Sequence, residues 1–319
     1  MTFGVLIVGL GQIGMGYDLQ PGPATRICTH ARAFSRHPRF QLIGGVDPDR
    51  HQRQRFSQTY GCPAYGDVET VLSQHRPDVI IIAAPTRLHD RVLQQVLEHS
   101  TPKIVLCEKP LSHDLAQARH MVQSCSDQGV SLYVNYMRRS DPGVAEIKRR
   151  LEVGEMGSPV KGVVWYSNGF LHNGSHFFNL LEYWLGSMKS SAILNRGRLW
   201  GEADSEPDVQ VAFERGDVVF LAAREEAFSY CSVELLAPRG RLRYEQGGAT
   251  IRWQPAGPDP CLQGYTVLGN EPETIVSGMD RYQWQVAAEL ARVLDGTAAQ
   301  LCSGTDALQT LENMKRILE

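Results

Sequence analysis

The residues most able to do chemistry fall in four places. The first is Gly9-Leu10-Gly11-Gln12-Ile13-Gly14, directly after the apolar run Val5–Val8. Glycines at this spacing, opening a strand–helix alternation, permit a tight turn, close approach of a pyrophosphate to the backbone, and close strand–helix contact. Gly9, Gly11 and Gly14, with Gln12 and Ile13 between them, are therefore the expected dinucleotide turn; without that setting they would be a glycine-rich turn and no more. The second is Asp47, which ends the run Phe40–Val46. A carboxylate there accepts hydrogen bonds from ribose hydroxyls and repels a 2′-phosphate, favouring NAD over NADP. Arg50 and Arg53 weigh the other way, and the plainer role for Asp47 is to cap a helix that Pro48 opens.

The third place is Glu108-Lys109-Pro110, at the carboxyl end of the run Ile104–Leu106. Ligands of open α/β sheets bind outside those carboxyl ends. A partly buried lysine beside a positive nicotinamide should lose basicity and exchange a proton near neutral pH, with Glu108 holding it or touching the cofactor. On chemistry alone, a surface ion pair accounts for these residues equally well. The fourth is His172-Asn173-Gly174-Ser175-His176. Histidines at i, i+4 suit zinc, but Gly174 lies between them and the glutamate of H-E-x-x-H is absent, so no metal is expected. Asn173 or Ser175 is expected to cap a helix with His176 in its first turn. The positive helix end there disfavours imidazolium and leaves a ring able to give or accept a proton. A capping or core role is the alternative for both histidines, more so for His172.

These residues need a scaffold. Runs at Val5–Val8, Phe40–Val46, Val79–Ala83, Ile104–Leu106 and Val130–Val134 alternate with helical patterns, which predicts a doubly wound parallel sheet covered on both faces. Gly61 stops one helix, and Asp67 and Asp114 cap two others. Asp47 lies 33 residues past Gly14, against about 20 overall in the usual fingerprint. The excess falls in Met15–Cys28, where Pro21-Gly22-Pro23 cannot continue a helix, so an inserted loop is expected at the cofactor end of the sheet. From about Asp141 extended stretches dominate, with a hairpin turn at Gly216-Asp217 and a Pro/Gly-rich surface loop at Gln254–Gly264. Phe177, Leu180, Leu181, Trp184 and Leu185 mark one helix there, stopped by Gly186. Two closing helices follow, the last with a Ser303/Asp306 capping pattern. The expected division is a Rossmann domain over 1–124 and an α+β domain with a large, mostly antiparallel open sheet over 125–319.

Length and composition agree. With 319 residues and about 150 per domain, two domains are expected. A formal charge of −3 and 42% hydrophobic residues exclude a disordered chain and argue against a dedicated nucleic-acid binder. No apolar run approaches the ~20 residues of a membrane span. No basic residue precedes Phe3–Leu10, so that run reads as a strand and not as a signal peptide. Seven cysteines without a C-x-x-C suggest neither disulfides nor a zinc ribbon, and a reducing cytoplasm is expected.

Taken together, Gly9–Gly14, Asp47, Pro85-Thr86 with His89, Glu108-Lys109-Pro110, Asn135-Tyr136 and His172–His176 resemble the Gfo/Idh/MocA oxidoreductases over essentially the whole chain. The resemblance implies that Pro85, Thr86, His89 and Glu108 join the glycine turn and Asp47 around the cofactor. It matches the family's lysine to Lys109 and its substrate-side histidine to His176, with Asn135, Tyr136 and His172 on the substrate side. It implies NAD-dependent oxidation or reduction at a hydroxyl or keto carbon of a sugar, polyol or sugar derivative. It also implies a homodimer or homotetramer formed through the C-terminal sheet; charge and the short apolar runs, for their part, predict no nucleic-acid or membrane partner. The same fold occurs in non-catalytic dinucleotide sensors and in hydrolases or epimerases that use tightly bound NAD transiently. One departure stands out: relatives often carry Asp four residues before the histidine, where this chain has His172.

Overall fold

The computed structural model describes residues 2–201, 204–223 and 228–319. The chain forms two units. One is the chain up to Ser140 together with Asp280–Gln309; the other is Asp141–Met279 with Thr310–Glu319.

In the first unit, β1 (Phe3–Val8), β2 (Phe40–Val46), β3 (Ala64–Tyr65), β4 (Val79–Ile82), β5 (Ile104–Cys107) and β6 (Ser131–Val134) pair in parallel in the order β6-β5-β4-β1-β2-β3. β4 and β5 are buried throughout because helices cover both faces, which is why they read as unbroken aliphatic runs. The order reverses direction between β1 and β4, and that switch point opens a crevice at the carboxyl ends of the strands. The intervening helices are α1 (His30–Arg36), α2 (Arg50–Tyr60), α3 (Val68–Gln74), α4 (His89–His99) and α5 (Leu115–Asp127). Asp67 accepts from Thr70 N and Asp114 from Gln117 N, as expected, and Gly61 ends α2 in the left-handed conformation. Pro48 is not in the first turn of α2: Asp49 is the cap, accepting from His51 N at 2.8 Å.

The expected boundary at 124/125 is corrected to 140/141, with a later return. β6 extends the parallel sheet, and Cys302–Ser303 pairs antiparallel on its outer side. The helix Tyr282–Leu294 buries Val286, Ala287, Leu290 and Ala291 in the same core as Phe34 and Phe40. A sequence cut cannot anticipate a segment that returns after 140 residues to complete an apolar core.

The second unit is built on a sheet in the order Thr266–Leu268, Thr250–Pro258, Gly240–Glu245, Ser232–Ala237, Val160–Tyr166, Gly216–Ala222, Asp208–Phe213, Met188–Asn195. Only Val160–Tyr166 and Gly216–Ala222 run parallel among these neighbours. Alternate residues of one face pack with the helix Ser175–Leu185 around Trp184, Tyr166, Tyr244, Phe177, Phe178 and Phe220. Two local expectations are corrected. Phe213 pairs with Gly216, so the hairpin turn is Glu214-Arg215 and Gly216 already begins the next strand. The segment expected as a loop from Gln254 continues a paired strand to Pro258. The Ser303/Asp306 reciprocal cap is present, with Asp306 N donating to Ser303 Oγ and Ser303 N to Asp306 Oδ2.

Candidate active site

In the first unit, a cavity of about 790 Å3 lies at the carboxyl ends of β1, β2 and β4, lined by residues that include Gly9, Gly11, Gln12, Ile13, Tyr17, Asp47, Pro85, Arg87 and Arg91. Gly9 has φ 101° and a Cβ there would sit 2.5 Å from the Ala83 backbone, so the turn passes over β4 only as glycine. At Gly14 a Cβ would meet Gly9 O at 2.2 Å, whereas one on Gly11 would meet nothing within 4 Å. Two glycines thus close the turn on itself, and the third leaves backbone open toward the cavity. These features fit a pyrophosphate on the turn and the rest of a dinucleotide in the crevice.

Asp47 is tied into that turn. Its Oδ2 accepts from Leu10 N at 2.9 Å and its Oδ1 from Asp49 N at 2.8 Å. Each oxygen keeps a further lone pair for a ribose hydroxyl. Arg53 Nη1 donates to the carbonyls of Asp47 and Pro48, both at 2.8 Å.

Met15–Cys28 does interrupt the helix after the turn. His30 N donates to Ile13 O and Ala31 N to Gly14 O, so α1 resumes the hydrogen-bond ladder of the turn as though the loop had been spliced in. Asp18 closes the loop: its carboxylate accepts from Cys28 N, Thr29 N and Thr29 Oγ. Tyr17, on this loop, lines the same cavity.

Glu108 stands one strand further along the same edge, its N–H donating to Ile82 O at the end of β4. Its side chain is 14% exposed, and Oε1 accepts from His30 Nε2 at 2.8 Å and Asn135 Nδ2 at 2.6 Å. Burial pushes this carboxyl up, but His30, Asn135 and the charge of Lys109 outweigh it and hold the group below its ordinary value. Asn135, expected on the substrate side, thus spends its amide nitrogen on Glu108. His30 was not anticipated, since nothing in its local sequence separates it from a helix-start histidine. Lys109 follows Glu108 on the loop after β5, and Tyr136 is buried just past β6.

His89 is corrected as a cofactor contact. Its ring is 1% exposed and both nitrogens face backbone carbonyls, of Leu111 at 3.1 Å and Ala84 at 2.9 Å. Burial pushes its pKa down, and no ring nitrogen is left to offer a ligand. It fastens α4 beneath the strand ends, while Pro85 and Arg87 nearby line the cavity. Thr86 opens the short turn Thr86–Leu88 between them.

In the second unit, His176 is the second residue of the helix Ser175–Leu185 and is 9% exposed. The expected cap at Asn173 or Ser175 is overturned. A π-helical turn, Gly169–Gly174, runs straight into the helix, and Gly174 is itself helical, without a side-chain cap. The coil begins after Asn168, which is left-handed, and its first amides are held by a remote segment. Gly169 N donates to Glu206 Oε1, Leu171 N to Asp204 Oδ1, and His172 N to Asp204 Oδ2. His172 is exposed and stacks on Trp200, with ring centroids 5.2 Å apart. Among the described residues no cluster of three metal-ligating side chains occurs.

A dinucleotide turn at a sheet switch point, with a lysine and carboxylate one strand away, defines the class: a nucleotide-binding α/β protein with a second, sheet-based unit. Residues 3–136 match the model described as "Oxidoreductase family, NAD-binding Rossmann fold", that of the Gfo/Idh/MocA oxidoreductases. It is 33% identical to inositol 2-dehydrogenase 4 of Saccharopolyspora erythraea over 156 residues, 48% of this chain and 42% of that protein. It is 26% identical to the scyllo-inositol 2-dehydrogenase (NAD(+)) of Bacillus subtilis over 208 residues, 60% of this chain and 56% of that protein. The matches thus span about half the length of these relatives. The WlbA dehydrogenase of Bordetella pertussis, solved with NADH and UDP-GlcNAcA, superposes with a TM-score of 0.76 at 18% identity, covering 100% of this chain and 97% of that one. At that identity the likeness is one of fold.

Proposed function

We propose that this protein is an NAD-dependent dehydrogenase or reductase acting on a hydroxyl or keto carbon of a sugar, polyol or sugar derivative. The observation that carries this reading is the cavity at the switch point, with Gly11 open to it, Asp47 in its lining and Glu108-Lys109 on the adjoining strand end. The names of the inositol dehydrogenase relatives support a polyol or sugar as the substrate class.

Bound nicotinamide supplies or accepts the hydride. The chain's own work is to orient the substrate and to move one proton. Lys109 Nζ gives or takes the hydroxyl proton, and Glu108, held anionic by His30 and Asn135, supplies a fixed negative charge beside it. His176 donates a hydrogen bond to the reacting oxygen or relays the proton. Tyr136 and His172 shape the substrate side, and the Tyr17 loop helps enclose the cofactor. Asp47 selects NAD over NADP, because a 2′-phosphate would lie against its carboxylate.

Self-association is part of the same proposal. Val163 and Trp165, paired with Val219 and Leu221, share the open sheet face with Leu236, and the exposures of 36% for Val163, 40% for Trp165 and 52% for Leu236 suit burial against a second copy. No described helix is long and apolar enough to cross a membrane, and all seven cysteines are free thiols, in keeping with a cytoplasmic dimer or tetramer.

The test is a purified-protein assay of nicotinamide reduction against inositols, aldoses and uronic acids, beside calorimetry with NAD. Turnover of at least one compound with NAD is expected. Tight NAD binding with no turnover across the panel would point to a dinucleotide sensor instead.

A further inference from the structure

The turn that carries His172 is held by a remote part of the chain. A two-stranded ribbon, Leu199–Trp200 paired with Asp204–Ser205, lies against the π-turn that precedes His176. Its contacts are specific. Asp204 uses both oxygens, Oδ1 on Leu171 N at 3.0 Å and Oδ2 on His172 N at 2.9 Å. Glu206, whose side chain is 1% exposed, accepts from Gly169 N at 3.2 Å and is itself paired to Arg198 Nε at 2.7 Å. Trp200 stacks on the His172 ring. Gly169, with φ 80°, is where the ribbon comes closest: a Cβ would meet Asp204 Oδ2 at 2.2 Å and Trp200 Cε3 at 2.6 Å.

We propose that Asp204 is a positioning residue for His176, acting through the π-turn. The proposal rests on the reading of His176 as a substrate-side residue. The amides at the start of a helical coil need acceptors, and here no side chain on the coil's own first turn provides one. Asp204 does so from 28 residues beyond His176. It thereby lets the coil begin at Gly169 with a wide π-turn, where a helix starting at Ser175 would be unsupported. π-turns recur at functional sites because they rotate the residues that follow. In this chain the turn decides which way the second residue of the helix, His176, presents its ring. The carboxylate sits on the backbone of His172, so negative charge reaches this turn from a remote strand. Lone acidic residues at helix starts are common, but this one is matched by a glycine whose Cβ would strike it and by a second buried carboxylate on the Gly169 amide.

The full-length protein with labelled histidine rings tests this by NMR. The His176 signal is identified by its loss in His176→Ala. In Asp204→Ala that signal should move while those of His30 and His89 stay in place, and Asp204→Asn, which keeps one acceptor, should move it less. Gly169→Ala, whose Cβ would push the Asp204 carboxylate off the turn while leaving it in the chain, should reproduce the Asp204→Ala shift, and it covers the case in which Asp204→Ala fails to fold. With the fastest substrate of the panel, Asp204→Ala should lower kcat by about 10- to 100-fold, with NAD affinity unchanged. An unmoved His176 ring in Asp204→Ala or Gly169→Ala would overturn the positioning role. Wild-type turnover by His176→Ala would instead overturn the role given to the histidine.

Discussion

His30 Nε2 meets Glu108 Oε1 at 2.8 Å, and the histidine arrives there only because the loop Met15–Cys28 returns to the dinucleotide turn immediately before it. The pairing predicts a pH dependence. Glu108 is held below the ordinary glutamate value in the folded protein, against burial, because His30, Asn135 and Lys109 favour the anion. Its contribution to stability is present above the unfolded value and is lost as pH falls through the folded one. In His30→Phe burial is less opposed and the carboxyl rises. The variant should be less stable near neutrality and should lose less stability than the parent between about pH 5 and about pH 3. Urea midpoints at the two pH values check this; parallel losses in both proteins would contradict it.

Asp47 should favour NAD. NAD is expected to bind at least about tenfold more tightly than NADP, or ~1.4 kcal/mol. Arg53 is tethered to the carbonyls of Asp47 and Pro48 beside that carboxylate. Calorimetry with both dinucleotides decides the matter, and equal affinities would shift the assignment to Arg50 or Arg53.

Lys109→Met should leave NAD binding within about threefold and lower kcat by ~10²–10⁴, the loss expected for proton transfer. His176→Ala should also act mainly on turnover, and His172→Ala less, since that ring is exposed and stacked on Trp200. Normal turnover by Lys109→Met, with His172→Ala as damaging as His176→Ala, would move the proton path to the histidines.

Asp18→Ala should destabilise the first unit by about 3 kcal/mol, because the amides of Cys28 and Thr29 and the Thr29 hydroxyl lose one shared acceptor. Chemical denaturation measures this directly. NAD affinity should fall too, as Tyr17 leaves the cavity wall; unchanged affinity would detach the loop from the cofactor site.

Much of the first unit was legible in the chain because its determinants are local. The glycine turn is a backbone requirement of consecutive residues, the unbroken aliphatic strands follow from burial on both faces, and Asp67, Asp114 and Gly61 act on their own helices. The interruption at Met15–Cys28 could be read from Pro21-Gly22-Pro23 for the same reason. What tertiary structure alone decided are the partners of groups that cannot satisfy themselves locally. Glu108 takes His30 across 78 residues, the helix Tyr282–Leu294 supplies apolar side chains to a core begun at Phe3, and His89 looks like a cofactor neighbour but is consumed by two carbonyls. The same holds at His176, where no local residue caps the coil and the acceptors come from Asp204 and Glu206. Periodicity and propensity record what a residue does to its own segment. A buried hydrogen-bonding group takes whichever partner the fold brings within 3 Å, and that choice is written only in three dimensions.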